Sequence, residues 1–279
     1  MRRDPQGCRR AVVLAGLLLL LLLGGCRPGI YLDAGLTSPL AGDSEWLILV
    51  YMSADNELEA AAIEDLNEME AAGVAEEVTV LALLDRAPGH DSSNGDWTGT
   101  RLYHVLDDPD GMDTEICSLP LVVPSLGLDP GDPGATNELD MADPATLAGV
   151  LAFARERYRP RRTALVVWGH GSGYRAAGRP TLARPPAPAG ATRATSYDDT
   201  SGGDALFTAE LAAALRSVAL AEGLPVVADD TDDPDGPDAA GTRVVDLIGF
   251  DTCFGASVEV AYELRGLAGL MVASQATEP

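Results

Sequence analysis

Short apolar runs, separated by polar or amphipathic segments, recur along most of this chain. Runs of about seven residues that are rich in Val, Ile and Leu are typical of strands buried on both faces of a parallel sheet. Thr100–Leu106 partly alternates apolar and polar residues, which predicts an edge strand or a hairpin arm. We predict buried strands at Trp46–Met52, Val78–Leu84 and Thr163–Trp168, and two further strands at Val244–Phe250 and Leu267–Ser274.

Helical patterns lie between these runs. In Asn56–Ala72 the apolar residues keep a spacing of three to four, and Gly73 is a suitable stop. Asp143 followed by Pro144 is a helix start, and the pattern continues to Tyr158. Two further helices are predicted, at Thr208–Ala219 and Ser257–Leu264, whereas residues 107–136, 169–194 and 228–241 have the Gly, Pro and Asp content of loops. Strands that alternate with helices predict an α/β fold, with a mainly parallel sheet sandwiched by helices.

The first 25 residues have the composition of an export signal. Four arginines precede an apolar run, Ala11–Leu23, that is short for a membrane span and ends in two glycines before Cys26. This pattern is typical of a bacterial lipoprotein, in which Cys26 would be lipidated; an ordinary signal peptide is the alternative. We therefore predict a signal at 1–25, a tether at 26–44, and an exported, membrane-anchored domain at 45–279.

The charge of the chain is strongly negative. Its formal net charge is −24, and all 19 basic residues are arginines. Such a surface repels nucleic acid and anionic lipid headgroups, so contact with a membrane is expected through the lipid anchor only. The charge would favour basic substrates or divalent cations, although it is equally the composition of a highly soluble surface.

Of the four cysteines, two remain for the folded domain. Cys8 would be removed with the signal, and Cys26 would carry lipid. Cys117 and Cys253 could form a disulfide in an oxidising compartment. Alternatively, an unbridged cysteine in an exported domain has catalysis as its commonest role.

Two predicted strands end in reactive side chains. His170 follows the strand at Thr163–Trp168, and Cys253 follows the strand at Val244–Phe250. Ligands of open parallel sheets bind beyond the carboxyl ends of the strands, so neighbouring strands would bring these two side chains into one crevice. There Cys253 would be the nucleophile, and His170 would exchange protons with the thiol and the leaving group. The backbone N–H groups of Gly171 and Cys253 would form the oxyanion hole.

Other interpretations of these residues are weaker. A cysteine at an apolar strand end is often only a small core residue. Residues 169–173, Gly-His-Gly-Ser-Gly, lack the Lys-Ser/Thr of a P-loop. No two His or Cys residues have the spacing of metal ligands. The acidic segment 229–238 imitates a calcium loop, but Thr231 and Thr242 occupy two of the positions that need ligands.

Several stretches together resemble the clostripain family of cysteine peptidases, in the caspase-like clan. Their order and spacing are similar to the family's from Trp46 to Pro279; the matching stretches are Trp46–Leu58, Glu138–Leu147, Val167–Gly173, Tyr197–Ser201 and Gly249–Leu264. The resemblance implies a caspase-hemoglobinase-like fold, a His170/Cys253 dyad, and cleavage after Arg or Lys through a thioester. It also implies that Asp251, two residues before the nucleophile, lies in the pocket for the basic side chain, where a carboxylate suits Arg.

The resemblance carries three further expectations. Members often cut themselves between the His and Cys strands, which here predicts self-cleavage within 175–195, after Arg193 first and Arg175 second. Some relatives need Ca²⁺, which the acidic composition allows, but no ligand set is predicted. Relatives also continue past the region of Ser274–Pro279, so we expect the family's domain to extend beyond it. Two other functions stay open: a catalytically silent, surface-tethered binding module, and another acyl-transfer enzyme with the same dyad.

Overall fold

The computed structural model describes residues 42–108, 115–132, 137–172, 194–224 and 243–277. Within these ranges the main feature is a seven-stranded sheet in the order β4-β3-β2-β1-β5-β8-β9, beside a separate two-stranded hairpin of β6 and β7. The strands are β1 Trp46–Ala54, β2 Val78–Arg86, β3 Gly99–His104, β4 Leu119–Leu121, β5 Arg162–Trp168, β6 Ala194–Asp198, β7 Asp204–Phe207, β8 Val245–Asp251 and β9 Ala268–Ala273. The helices are α1 Glu59–Ala72, α2 Pro144–Tyr158, α3 Thr208–Ala221 and α4 Val258–Glu263, with a 3₁₀ turn at Pro124–Leu126.

Five neighbouring strands of the sheet are parallel. β2, β1, β5, β8 and β9 pair in parallel, whereas β3 and β4 add antiparallel strands at one side. Because parallel strands all end at the same edge, the loops that follow β1, β2, β5 and β8 meet there. The predicted α/β class with a mainly parallel sheet is confirmed.

The sheet separates two hydrophobic cores, because successive side chains of a strand point to opposite faces. Along β1, Leu47, Leu49 and Tyr51 contribute to one core, whereas Val50 and Met52 contribute to the other. The first core is covered by α2, α3 and α4, and the second by α1. Helices therefore lie on both faces, as the strand and helix pattern predicts.

The structure adds elements that the sequence pattern did not predict. Leu119–Leu121 forms β4 within the predicted loop 107–136, and Ala194–Phe207 forms the hairpin β6–β7. The hairpin lacks an apolar strand pattern because three of its buried residues are Thr195, Ser196 and Asp198. Among the described helices, none combines the length and apolarity needed to cross a membrane.

The edge of the sheet at β9 is much less covered than its centre at β1, β2 and β5. Strand β9 has Leu270 and Val272 on the surface, and α4 has Val258 and Tyr262 there. Each of these side chains is more than 60% exposed. By contrast, the leucines of β1, β2 and β5 are fully buried.

Candidate active site

His170 and Cys253 follow two strands that are paired with each other. In the parallel ladder of β5 and β8, Trp168 lies opposite Asp251, and the Gly169 N–H donates to the Asp251 carbonyl over 3.2 Å. His170 comes two residues after Trp168, and Cys253 comes two residues after Asp251. The strand order therefore brings both residues to adjacent positions at one edge of the sheet, as expected from the sequence.

The loop after His170 packs tightly against the loop of Cys253. A Cβ atom added to Gly171 would lie 2.5 Å from the Cys253 carbonyl oxygen and 2.9 Å from Thr252 Oγ1. Real side chains do not tolerate such distances, so this approach requires a glycine. Gly171, which we expect to donate to an oxyanion, is thus in direct contact with the segment that carries the thiol.

Two residues of other segments surround the His170 ring. Glu57 Oε1 lies 3.4 Å from His170 Nε2, and the Tyr197 ring meets the imidazole edge-on at 6.4 Å between centroids. The His170 side chain is about one third exposed, whereas its Nε2 atom is buried and has no hydrogen-bond partner. Glu57 follows β1 and Tyr197 belongs to β6, so two other segments contact this ring.

Cys253 lies in a turn between β8 and α4. It is partly buried and takes part in no disulfide, so a Cys117–Cys253 bridge is excluded. The next residue, Phe254, has φ of 59°, which is strained for a bulky side chain. Its N–H donates to the Ala276 carbonyl over 2.9 Å, which holds the strained turn against the segment after β9.

Asp251, the expected residue for substrate binding, is the last residue of β8. It is exposed and lies at the same edge as His170 and Cys253. The proposed self-cleavage sites Arg193 and Arg175 and the proposed lipidation site Cys26 lie outside the described residues. The acidic segment at 229–238 lies outside them too.

A group of buried carboxylates was not predicted as part of this site. Asp85 lies near the end of β2, Asp55 follows β1, and Asp198 ends β6; one ligand atom from each lies within 4.8 Å of the others. Burial raises the pKa of Asp85 well above its usual range, and burial together with the neighbouring Asp55 raises that of Asp198 to about 6. The sequence contains one sign of this group, since Asp55 and Asp85 each lie at the end of an apolar run.

A mainly parallel sheet flanked by helices, with its loops meeting at one edge, is the architecture of the open α/β folds, to which the caspase-like fold belongs. Within this class, the chain belongs to the clostripain family, whose model matches residues 50–279. Clostripain of Hathewaya histolytica is 24% identical over 228 residues, which cover 78% of this chain and 35% of clostripain.

Two solved structures share the fold. Both are of secreted C11 cysteine proteases from Bacteroides thetaiotaomicron, one of them in complex with an irreversible peptide inhibitor. The inhibitor complex matches with a TM-score of 0.55 and 22% identity, over 85% of this chain and 50% of that chain. The other, iotapain, matches with a TM-score of 0.54 and 12% identity, over 85% and 53%. The chain therefore spans about a third of clostripain and about half of these solved chains.

Proposed function

We propose that this chain provides the catalytic residues of a cysteine endopeptidase that cleaves after Arg or Lys. The observation that carries the proposal is the pairing of β5 with β8, which sets Trp168 opposite Asp251 and so brings the residues after both strands together. Membership of the clostripain family supports the same reaction class.

In the proposed reaction, the Cys253 sulfur attacks the carbonyl carbon of the scissile bond after His170 has taken the thiol proton. The carbonyl oxygen becomes an oxyanion, which the N–H groups of Gly171 and Cys253 would stabilise by about 3 kcal/mol each. The C–N bond then breaks, and His170 gives its proton to the leaving amine. Water attacks the resulting thioester, which releases the new carboxylate and restores the thiol.

The preference for a basic side chain is assigned to Asp251. Its exposed carboxylate lies at the end of β8, two residues from the proposed nucleophile. A guanidinium can bind a carboxylate through two parallel hydrogen bonds, whereas an ammonium makes a single point contact. We therefore expect Arg to be preferred over Lys at the cleaved position.

A panel of peptide reporters that differ only in the residue before the scissile bond tests this function. The expected result is cleavage of the Arg and Lys peptides and none of the Asp or Leu peptides, with Asp251→Asn lowering kcat/KM for Arg by at least about a hundredfold. Glu259→Gln, a half-buried carboxylate at the start of α4, is the matched control. Cleavage that does not depend on the basic residue would contradict the specificity. An inactive chain that still binds Arg peptides would favour the silent binding module instead.

Self-cleavage after Arg193 is part of the proposal. The following residue, Ala194, is buried and makes two hydrogen bonds with Ser172, two residues after His170: its carbonyl accepts the Ser172 N–H, and its own N–H donates to the Ser172 hydroxyl. The bond to be cut thus adjoins the candidate active site, and cutting it would require Ala194 to leave these hydrogen bonds. Mass spectrometry of incubated wild type and Cys253→Ala is expected to show the fragment beginning at Ala194 only in wild type. The same fragments in both samples would contradict self-cleavage.

Export and lipid anchoring at Cys26 complete the proposal. The solved relatives are described as secreted, which is consistent with export. In a bacterial host, wild type is expected in the membrane fraction and Cys26→Ala outside it. Equal partitioning of the two proteins would remove the anchor from the proposal.

A further inference from the structure

The Glu57 carboxylate lies beside the His170 imidazole but takes no part in the steps of the proposed reaction. Its Oε1 atom is 3.4 Å from His170 Nε2. This nitrogen is buried and has no hydrogen-bond partner, although the His170 side chain as a whole is about one third exposed. A buried polar atom without a partner is costly, so the adjacent carboxylate is the acceptor that a proton on this nitrogen needs.

A small movement would close the contact between Glu57 and the ring. An N–H···O hydrogen bond usually measures about 2.9 to 3.0 Å between its heavy atoms, so Oε1 is only slightly too far away. The Glu57 side chain is 54% exposed, which gives it room to rotate toward the ring. Hydrogen bonds of catalytic groups are often long without substrate and shorten in the complex. The observed distance therefore fits a hydrogen bond that shortens when substrate binds.

The backbone on both sides of Glu57 is fixed, although its side chain is half exposed. Asn56 is buried, and its Nδ2 donates to the Ser53 and Tyr197 carbonyls over 3.1 and 3.5 Å. Its Oδ1 accepts the Leu58 N–H over 3.0 Å. Asn56 thus connects the turn that carries Glu57 to the end of β1 and to β6.

The loop of His170 packs against the same end of β1. A Cβ atom added to Gly169, which has φ of 134°, would lie 3.0 Å from the Ser53 carbonyl oxygen. The Tyr197 ring meets the imidazole edge-on. The turn that carries the Glu57 carboxylate and the loop that carries the imidazole therefore both contact Ser53 and Tyr197, which restricts their relative position.

We propose that Glu57 is the positioning residue of His170, an inference that rests on the proposed peptidase function. Its carboxylate accepts the Nε2–H, and because a neutral imidazole carries one N–H, Nδ1 is left as the base. In the first step the Cys253 S–H bond breaks, its proton moves to Nδ1, and the thiolate attacks the substrate. The imidazolium then has N–H bonds at both nitrogens. Glu57 stays ionised and holds the ring until Nδ1 gives the proton to the leaving amine.

Cleavage of the Arg reporter by Glu57→Ala tests this role, with Glu68→Ala, an exposed carboxylate of α1, as the matched control. We expect Glu57→Ala to lower kcat by about ten- to a hundredfold and to change KM by less than about twofold, because Glu57 orients the ring and does not bind substrate. The loss stays below that of a buried third residue, since water surrounds part of this side chain. Sodium formate should restore part of the lost kcat, because a small carboxylate can enter the space that the side chain leaves.

Alkylation of Cys253 by iodoacetamide is a second readout that needs no peptide substrate. The rate should fall by about tenfold in Glu57→Ala, at least as much in His170→Ala, and not at all in Glu68→Ala. Thermal melting checks that each variant keeps its fold. In NMR spectra of the chain with isotope-labelled histidine, the Nε2–H proton of His170 should be observed in the wild type and lost in Glu57→Ala.

The outcomes separate this inference from the proposed function. A wild-type alkylation rate in Glu57→Ala, beside a slow His170→Ala, would overturn the role of Glu57 and leave the dyad intact. Equal rates in wild type and His170→Ala would overturn the dyad and the role of Glu57 with it. A change confined to KM would show that Glu57 binds the substrate instead of the ring, and a ring proton on Nδ1 would overturn the assignment of the base. The expected alkylation rates without any peptide cleavage would reject the peptidase function and support Glu57 as the positioning residue.

Discussion

The two sides of the candidate active site differ in how the fold supports them. The histidine side, made of β3, β2, β1, β5, α1 and the hairpin β6–β7, buries most side chains of its strands, together with charged residues such as Arg86 and Glu59. The cysteine side, made of β8, β9 and α4, exposes large apolar side chains. The orientation of His170 is therefore set by packing, whereas the turn of Cys253 is held mainly by backbone hydrogen bonds from Phe254 and Ala256 to the segment after β9.

The largest difference in the stability cost of a substitution is expected between two arginines, one on each side. Arg86 is buried, pairs with Glu59 and stacks on Trp97, whereas Arg265 stacks on the exposed Tyr262. Arg86→Met leaves Glu59 as an uncompensated buried charge and is expected to cost about 3 to 5 kcal/mol in the free energy of unfolding. Arg265→Met should cost less than about 1 kcal/mol. Urea unfolding of both variants measures the difference, and similar costs would remove the contrast between the sides.

Replacing one leucine on each side should give the next largest difference in the free energy of unfolding. Leu165 of β5 is completely buried, whereas Leu270 of β9 is 67% exposed. Leu165→Ala should cost about 2 to 5 kcal/mol through lost burial and a cavity. Leu270→Ala should cost less than about 1 kcal/mol, because the side chain is already in water. A cost above 2 kcal/mol for Leu270→Ala would mean that β9 is covered in solution.

Much of this contrast follows from elements that could be predicted from the sequence. The parallel strands β1, β2, β5, β8 and β9 agree with their predicted bounds within two residues, because each of them is a short, continuous apolar run. The positions of His170 and Cys253 at strand ends follow from the same runs. The uncovered face of α4 and β9 has no such signal, because an exposed leucine and a buried one look alike in a sequence.

The hairpin β6–β7 and the group of buried carboxylates, Asp55, Asp85 and Asp198, could not be predicted in the same way. Ser196 is buried because its hydroxyl bonds that of Ser53, and Asp198 because it accepts two backbone N–H groups. In a sequence, polar residues of this kind indicate a loop, because their hydrogen-bond partners are not visible there. The group of buried carboxylates joins residues from three segments, with Asp85 and Asp198 far apart in the chain, so only the strand order brings them together.

The pH dependence of stability should belong to the histidine side. His104 of β3 is buried, its Nδ1 lies 2.8 Å from the Tyr158 hydroxyl, and burial, with a contribution from Arg157, lowers its pKa from 6.5 to about 4. Between these values the unfolded chain takes up a proton that the folded chain does not, so stability is lost as the pH falls from 6.5 to 4. The loss should reach about 3 kcal/mol.

Comparing the pH profile of unfolding for two variants isolates this contribution. His104→Asn should lose the corresponding part of the acid sensitivity. His90→Asn, at an exposed position, should keep the wild-type profile. Parallel profiles for wild type and His104→Asn would contradict the assignment.

The smallest effect on stability is expected at the turn of the cysteine side. Phe254→Gly relieves the strain of a φ of 59° and gives up only a side chain that is 37% exposed. The free energy of unfolding should change by no more than about 1 kcal/mol. Alkylation of Cys253 by a peptidyl reagent should nevertheless slow by roughly tenfold, because the turn no longer fixes the thiol. An unchanged rate would mean that the strained turn does not position Cys253.

The most direct test of the account is covalent labelling of Cys253 by two peptidyl electrophiles that differ only in an Arg or an Asp beside the reactive group. Peptide mapping and the labelling rates of wild type and His170→Ala would be measured together, with far-UV circular dichroism as a check of the fold. If His170 and Cys253 act as a pair beside Asp251, the Arg reagent labels Cys253 alone and at least about a hundredfold faster than the Asp reagent, and His170→Ala loses this rate. Equal rates for both reagents, or full labelling of the folded His170→Ala chain, would contradict the account.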